Sequence, residues 1–487
     1  MNRITLLLAA AFVCAACTSD PVVAPAEAQD DGAPEVVPVP ASFARDLEPC
    51  AISGIAGETL CGTYTVYEDR DAQAGRSIDI NFLVVKATGD DPEPDPVVYF
   101  EGGPGGASVG TARFIVDALS AVRQRRDFVF VDQRGTGGSG RLACDTPLPG
   151  GETSLFGTLF PDDHIEACAA RLGADADLRL YTTPLGVDDI DEILGWLGYD
   201  KVNLFGTSYG TRVALVFLRR HPERVRTTIV NGVAPPHVNI HLFDAPNVDR
   251  SLEWLLGDCE QDAACAAQHP DLRARLDTLT ARFDQGPVAV NARPSNGTTA
   301  DVSFSRGDFG YAIRGMLYGS LAERIGTWVD EAVETGGWAG FPDYYVQRSR
   351  WVASTFATGM HLTVFCAEDI PFMSDVEIAA VTQETLLGES LIRRYERACT
   401  HWPRGPIPDD YHSLVTSDLP VLIISGERDP ATPVAWGEEI QSTLPNSRHV
   451  VVPDAGHVPL TSCVLGLKQH LIESGSVAGL DASCVGG

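Results

Sequence analysis

Ile78, Ile80, Phe82 and Val84 alternate with Asp79 and Asn81 along the stretch from Ile78 to Val85. That period of two predicts a strand with one wetted face, near a sheet edge. The later runs are apolar on both parities: Val97 to Phe100, Phe128 to Val131, Val202 to Phe205, Val225 to Val230, Val421 to Ile424 and Val450 to Val452. Short continuous runs of this kind suit strands buried on both faces. Between them the period lengthens to that of a helix. From Tyr181 to Gly198, Val187, Ile190, Leu194 and Leu197 share one helical face, with Thr183 as the expected N-cap and Pro184 in the first turn. The alternation predicts an α/β fold, a mostly parallel sheet covered by helices on both faces.

From about Pro235 to Gly405 the strand rhythm stops. Helical spacing, as in Asp271 to Phe283 and Ser320 to Glu334, takes over with many aromatics, and strand rhythm returns only at LPVLIISGERD. A mainly helical insertion into one sheet domain, acting as a lid, accounts for this better than a tandem domain. The expected organisation is residues 46–234 as the first part of the core, 235–405 as the lid and 406–487 as the C-terminal part of the core. Residues 1–17 read as an export signal: Arg3, an apolar stretch from Ile4 to Val13, then small residues, too short to span a bilayer. Cys14-Ala15-Ala16-Cys17 resembles the cleavage box of bacterial lipoproteins with Cys17 as the lipidated residue, although Cys14 stands where that box carries Leu; cleavage near Ala26 or Ala28 is the alternative. Residues 18–45, rich in Pro, Ala, Val and acid without a period, read as a flexible tether. The expected location is outside the cytoplasm: periplasmic, anchored to the cell envelope through a lipid alone, or extracellular.

Charge narrows the partners. Lys and Arg number 36 against 66 Asp and Glu, a formal charge of -30 without any basic run, so nucleic acid is repelled. The cysteines number 12, and Cys14 and Cys17 belong to the export signal. The remaining even set, in a compartment where disulfides persist, predicts bridges. Sequence does not fix the pairing; local spacing suggests Cys50 with Cys61, Cys144 with Cys168, Cys259 with Cys265, Cys366 with Cys399, and Cys463 with Cys484. None forms a C-x-x-C pair, and no histidine cluster accompanies them, which argues against zinc. His237 and His241 are four apart, but they follow Pro235-Pro236 and lack an H-E-x-x-H context. No metal or organic cofactor is expected.

The chemistry concentrates in three loops. VNLFGTSYGTRVALVFL places Gly206-Thr207-Ser208-Tyr209-Gly210 between a strand and a helix, the setting of a nucleophile elbow. A serine hydroxyl needs a base to take its proton and a carboxylate to orient that base. SGERDPATP places Asp429 after one strand, and PDAGHVPL places His457 after the next. Glu427 and Asp454 are the competing acids. The order Ser, Asp, His is that of the α/β-hydrolase design. YFEGGPGGASVG, Tyr99 to Gly110, has no Lys-Ser/Thr after its glycines and so is no phosphate loop. GTGGSG, Gly135 to Gly140, runs into RLACDTPLPG and cannot open a helix. In a serine hydrolase the glycines after the third strand instead supply an oxyanion donor. Gly103 is the choice, with Gly102 or Gly105 as alternates, and the N–H of Tyr209 is the second donor.

EGGPGG, DQRGTGGS, GTSYGT, SGERDPATP and AGHVP together resemble the prolyl aminopeptidase and tripeptidyl aminopeptidase family of α/β-hydrolases, including secreted bacterial members with a TAP-like C-terminal segment. The resemblance covers nearly everything after about residue 45. It implies a serine exopeptidase that releases residues or short peptides from peptide N-termini, with Ser208, Asp429 and His457 as triad and peptides as substrates. Glu101 stands where prolyl aminopeptidases carry His, and Tyr209 where they often carry Trp, which favours the tripeptidyl branch. The resemblance also implies that lid acids bind the free α-amine, for which FCAEDIPF offers Glu368 and Asp369. The rivals are an esterase or lipase with the same triad, and a non-catalytic peptide-binding surface protein.

Overall fold

The computed structural model describes residues 45–486 apart from 146, 295, 296 and 320; the export signal, Cys17 and nearly all of the tether lie outside the described residues. The strands are β1 (Arg45–Cys50), β2 (Thr59–Tyr67), β3 (Ser77–Val85), β4 (Val97–Phe100), β5 (Phe128–Val131), β6 (Val202–Thr207), β7 (Val225–Asn231), β8 (Val288–Ala292), β9 (Ala300–Phe304), β10 (Val421–Gly426) and β11 (Ser447–Val452). One nine-stranded sheet runs in the order β1-β2-β3-β5-β4-β6-β7-β10-β11. It is antiparallel from β1 to β5 and parallel from β5 onward.

The alternation in β3 has a different cause from the one expected. The strand is not at the edge but third, between β2 and β5. Its polar residues serve neighbours: Asp79 Oδ1 accepts from Thr65 Oγ1 at 2.6 Å, and Asn81 Nδ2 donates to Asp132 Oδ2 at 2.9 Å. The runs at Val97, Phe128, Val202, Val225 and Val421 do form buried strands, but Val450 to Val452 belongs to β11 at the sheet edge, where Val451 is only half-buried. The helix foreseen from Tyr181 is Thr183–Trp196, with Thr182 rather than Thr183 at the N-cap.

β4 shows how the sheet divides the core and opens a crevice. Val98 and Phe100 pack in one layer with Val213 and Phe217 of the helix Tyr209–Arg220, whereas Val97 and Tyr99 pack in the other with Ala112 and Ile115 of the helix Ser108–Ala118. The chain therefore leaves the carboxyl ends of β4 and β6 toward opposite faces. The gap between such diverging loops is where open α/β sheets bind ligands.

Between β7 and β10 lie helices that include Asp244–Gln261, Leu272–Ala281, Arg306–Leu317, Arg324–Thr335, Phe341–Thr355, Thr358–Glu368 and Ser390–Thr400, together with the β8–β9 ribbon. The sequence pattern had not separated that ribbon from the helices. The structure joins Cys50 to Cys61, Cys144 to Cys168, Cys259 to Cys265, Cys366 to Cys399 and Cys463 to Cys484. Among the described residues no helix is long and apolar enough to cross a membrane.

Candidate active site

Strand β6 ends at Thr207 and the next helix begins at Tyr209, which leaves Ser208 alone in the turn at φ 53° and ψ -127°. An L-residue adopts that conformation only when its surroundings enforce it. Two glycines make the enforcement possible. A Cβ on Gly206 would stand 2.2 Å from Gly210 O, and one on Gly210 would stand 2.1 Å from Phe100 O. The turn can thus fold back on itself and press against β4. Ser208 N donates to Asn231 O at 3.0 Å, and Thr211 Oγ1 donates to Ser208 O at 2.6 Å.

Asp429 and His457 come from the loops after β10 and β11. His457 Nδ1 lies 2.8 Å from Asp429 Oδ2. The buried carboxylate is further held by Ala431 N (2.7 Å) and Thr432 N (2.9 Å) on Oδ1, and by Thr432 Oγ1 (2.6 Å) on Oδ2. Burial pushes the Asp429 carboxyl up, but the His457 charge and these donors outweigh it, so the group sits below the ordinary aspartate range. The competing acids face elsewhere. Glu427 Oε2 accepts from Asp454 N at 3.0 Å, and Asp454 pairs with Arg428.

Asn231 and Gly232 bring the imidazole toward the serine. Asn231 O holds the Ser208 turn, and a Cβ on Gly232 would lie 3.3 Å from His457 Cε1. Among the described residues no hydrogen bond joins Ser208 Oγ to His457; in the absence of substrate that bond is often long. The loop after β4 closes the other side, since a Cβ on Gly102 would stand 3.6 Å from Ser208 Oγ. Gly102 N is already donated to Glu101 Oε1 at 2.9 Å. The N–H groups of Gly103 and Tyr209 have no partner among the described residues.

A helix from the segment between β7 and β10 braces this loop. Ala357 N donates to Gly105 O at 2.9 Å, and His361 Nδ1 lies 3.2 Å from Pro104 O. Burial, with the neighbouring His241, pushes His361 down to about 3. The ring is therefore neutral, donating from Nδ1 to the carbonyl and accepting from Tyr395 O–H on Nε2 at 2.8 Å. His241 and His237 do not form a pair: His241 bonds Asp244 at 2.6 Å, and His237 lies 3.2 Å from Glu439. Tyr318, which sequence reasoning passed over, packs edge-on against His457 with ring centroids 5.2 Å apart.

Glu368 and Asp369 are corrected. Both are 0% exposed. Asp369 Oδ1 pairs with Arg212 Nη1 at 2.6 Å, while Glu368 accepts from Thr183 N (2.6 Å), Thr183 Oγ1 (2.8 Å) and Tyr411 O–H. Both carboxylates are thus bonded to groups inside the protein and have no face open to solvent. Burial pushes the Glu368 carboxyl up to about 7, only partly offset by Arg212 and the hydroxyl donors. Its folded value exceeds the unfolded one, so the stability it contributes is complete below about pH 4.5 and is lost as pH rises through about 7. Glu368→Gln is accordingly expected to gain on the wild type by up to ~3 kcal/mol between about pH 4.5 and 8, read from urea midpoints. A difference that does not change with pH would place the titration on another group.

A serine strained between strand and helix, with a carboxylate-held imidazole delivered from the last two strands of a parallel sheet, defines a serine hydrolase. The chain belongs to the alpha/beta hydrolase fold family, whose model matches residues 95–461. It is 29% identical over 488 residues to a tripeptidyl aminopeptidase of Streptomyces coelicolor, covering 90% of this chain and 85% of that one. It is 23% identical over 434 residues to the serine protease Hip1 of Mycobacterium tuberculosis, covering 82% of each. Among solved structures, a proline iminopeptidase from Mycobacterium smegmatis aligns with a TM-score of 0.39 at 16% identity, over 85% of this chain and 99% of that one. The α/β-hydrolase fold expected from EGGPGG, DQRGTGGS, GTSYGT, SGERDPATP and AGHVP is thus the one found, and a tripeptidyl aminopeptidase is among the relatives it matches.

Proposed function

We propose that the protein is an exported serine exopeptidase that releases short peptides from the N-termini of peptide substrates. The observation that carries it is the Asp429-held imidazole beside a strained Ser208, with two unpartnered N–H groups at the same turn. Ser208 Oγ attacks the scissile carbonyl carbon as His457 Nε2 takes its proton, and Asp429 fixes the tautomer through Nδ1–H. The negative charge that collects on the carbonyl oxygen is met by Gly103 N–H and Tyr209 N–H. The imidazolium then hands its proton to the departing amine, and water, deprotonated by the same ring, releases the acyl peptide from Ser208. Residues 235–405 act as the lid that limits entry to a chain end. The five disulfides support export, since such bridges persist outside a reducing cytoplasm.

Peptide rather than ester as substrate is supported by alignment with the tripeptidyl aminopeptidase over 90% of the chain. With Glu368 and Asp369 buried, Glu101 is the next acid to recognise the α-amine; it is half-buried, and its carboxylate accepts from Tyr99 O–H and Gly102 N–H and pairs with no cation among the described residues. A carboxylate meeting an ammonium gains roughly 1.5 to 3 kcal/mol. N-acetylation of a substrate is therefore expected to lower kcat/KM at least about tenfold, and Glu101→Gln to erode that preference. Paired kinetics on free and acetylated forms of one peptide check this. Equal turnover of both by the wild type would sink the exopeptidase proposal and leave a lidded endopeptidase or an esterase.

A further inference from the structure

The helix Phe341–Thr355 carries a cation that the fold leaves without an acid. Arg348 is half-buried, yet among the described residues no carboxylate lies within ion-pair distance of it and no oxygen accepts its N–H groups. Acids outnumber bases in this chain by 66 to 36, and buried arginines are satisfied: Arg134 pairs with Asp189, Arg212 with Asp369 and Arg394 with Asp308, while Arg123 donates to the carbonyls of Lys86 and Ala56. The Arg348 guanidinium instead lies between two rings, 5.5 Å from the centroid of Tyr318 and 4.4 Å from that of Trp351. Gly315 keeps the slot for its stem, because a Cβ there would stand 3.2 Å from Arg348 Cγ. The two ring contacts hold the guanidinium in place, while its N–H donors have no acceptor among the described residues.

Each ring leads to one half of the active site. Tyr318 packs against His457. Trp351 packs edge-on against Phe356 at 5.7 Å, and Phe356 Cδ1 would lie 3.0 Å from a Cβ on Gly103. Arg348 thus lies within about 11 Å of the imidazole by way of Tyr318, the span of about three extended residues. The charged groups around Tyr318 and His457 are already committed. Arg314 Nη2 pairs with Asp244 at 2.8 Å, and Asp429 holds His457.

We propose that Arg348 receives a carboxylate of the bound substrate, so that the enzyme selects peptides with an acidic side chain, or a free C-terminal carboxylate, within about three residues of the scissile bond. This rests on the peptidase proposal above. A surface of net charge -30 repels acidic peptides at long range. Selection for them requires a local fork of donors, and an arginine held by two rings presents one with little freedom left to lose.

The test uses peptides that carry Glu or Gln at each of three positions on either side of the cleaved bond, each as free acid and as C-terminal amide. The wild type is expected to favour one acidic form by at least about tenfold in kcat/KM, and the position shows whether a side chain or the C-terminus is read. Arg348→Met should bring that ratio toward one. Arg348→Lys, which keeps the charge but loses the fork, should leave an intermediate ratio and carries the comparison if the Met variant does not fold. Arg350→Met, removing an exposed arginine that pairs with Glu152 at 2.9 Å, should leave the ratio intact. Equal turnover of every acid and amide pair by the wild type, or a preference that survives Arg348→Met, overturns the inference. Failure of the peptidase proposal looks different: no peptide is cut although Ser208 labels with a fluorophosphonate, and acid and amide versions of a phenyl ester then read Arg348 by the same ratio.

Discussion

Ser208→Ala is expected to lower kcat by roughly 10⁴ to 10⁶ while leaving the fold intact, because a triad without its nucleophile retains only oxyanion stabilisation and binding. The geometry adds a second expectation. Ser208 sits at φ 53°, where alanine is as strained as serine and glycine is not. Ser208→Gly should therefore be equally inactive but more stable, by about 0.5 to 1 kcal/mol or more. Neither variant should label with a fluorophosphonate. Single-turnover kinetics and urea midpoints on the same samples separate the two effects. Retention of more than a tenth of the wild-type rate by Ser208→Ala would remove it as nucleophile, and a glycine variant less stable than the alanine one would mean that the turn is held by the serine side chain.

The triad was legible because each member sits beside a strand that announces itself. GTSYGT follows a mostly apolar run, broken only by Asn203, and GERDP and DAGH follow apolar runs; a parallel sheet puts the ends of such runs on one edge. The strands β1 and β2 were not legible. β1 is mostly exposed and has no apolar period. In β2, Gly62 interrupts the pattern, and the structure shows why it is there: a Cβ would stand 2.1 Å from the Phe82 ring on β3. Glu368 and Asp369 were offered as amine-binding acids on the resemblance alone, and nothing in FCAEDIPF shows that both are buried. A signal lay elsewhere. Arg212 interrupts an otherwise apolar stretch of helix, TRVALVFL, that is buried all round, and a buried guanidinium demands a carboxylate from some other element. Arg348 had no such signal: Trp351 lies three residues on in the same helix, but Tyr318, at the end of the helix Arg306–Leu317, meets it only through tertiary packing.

Arg212→Met is expected to destabilise the protein by about 3 to 5 kcal/mol, the loss typical of breaking a buried ion pair from one side. Arg212 is 0% exposed. Burial works against its charge, yet Asp369 at 2.6 Å, with Tyr411 and Glu368 nearby, holds its value above the ordinary arginine range. Its Nη2 also donates to Pro235 O (3.2 Å) and Val238 O (2.7 Å). One side chain thus ties the helix that begins after Ser208 to both the start of the helical segment, at Pro235 and Val238, and a later part of it, at Asp369. Methionine fills much of the volume but leaves Asp369 facing an apolar neighbour, and that residual charge is what costs most. Arg212→Met combined with Asp369→Asn removes both charges while the amide oxygen can still accept from Ile240 N, now 3.1 Å from Asp369 Oδ2. The double variant should lose less than the sum of the two single losses by at least about 1 kcal/mol, measured as a cycle of urea midpoints. Additive effects, or a loss under about 1 kcal/mol for Arg212→Met, would mean that the pair is not what fastens the segment over Ser208. The helix would then be held by its apolar face alone, through Val213, Leu215 and Phe217.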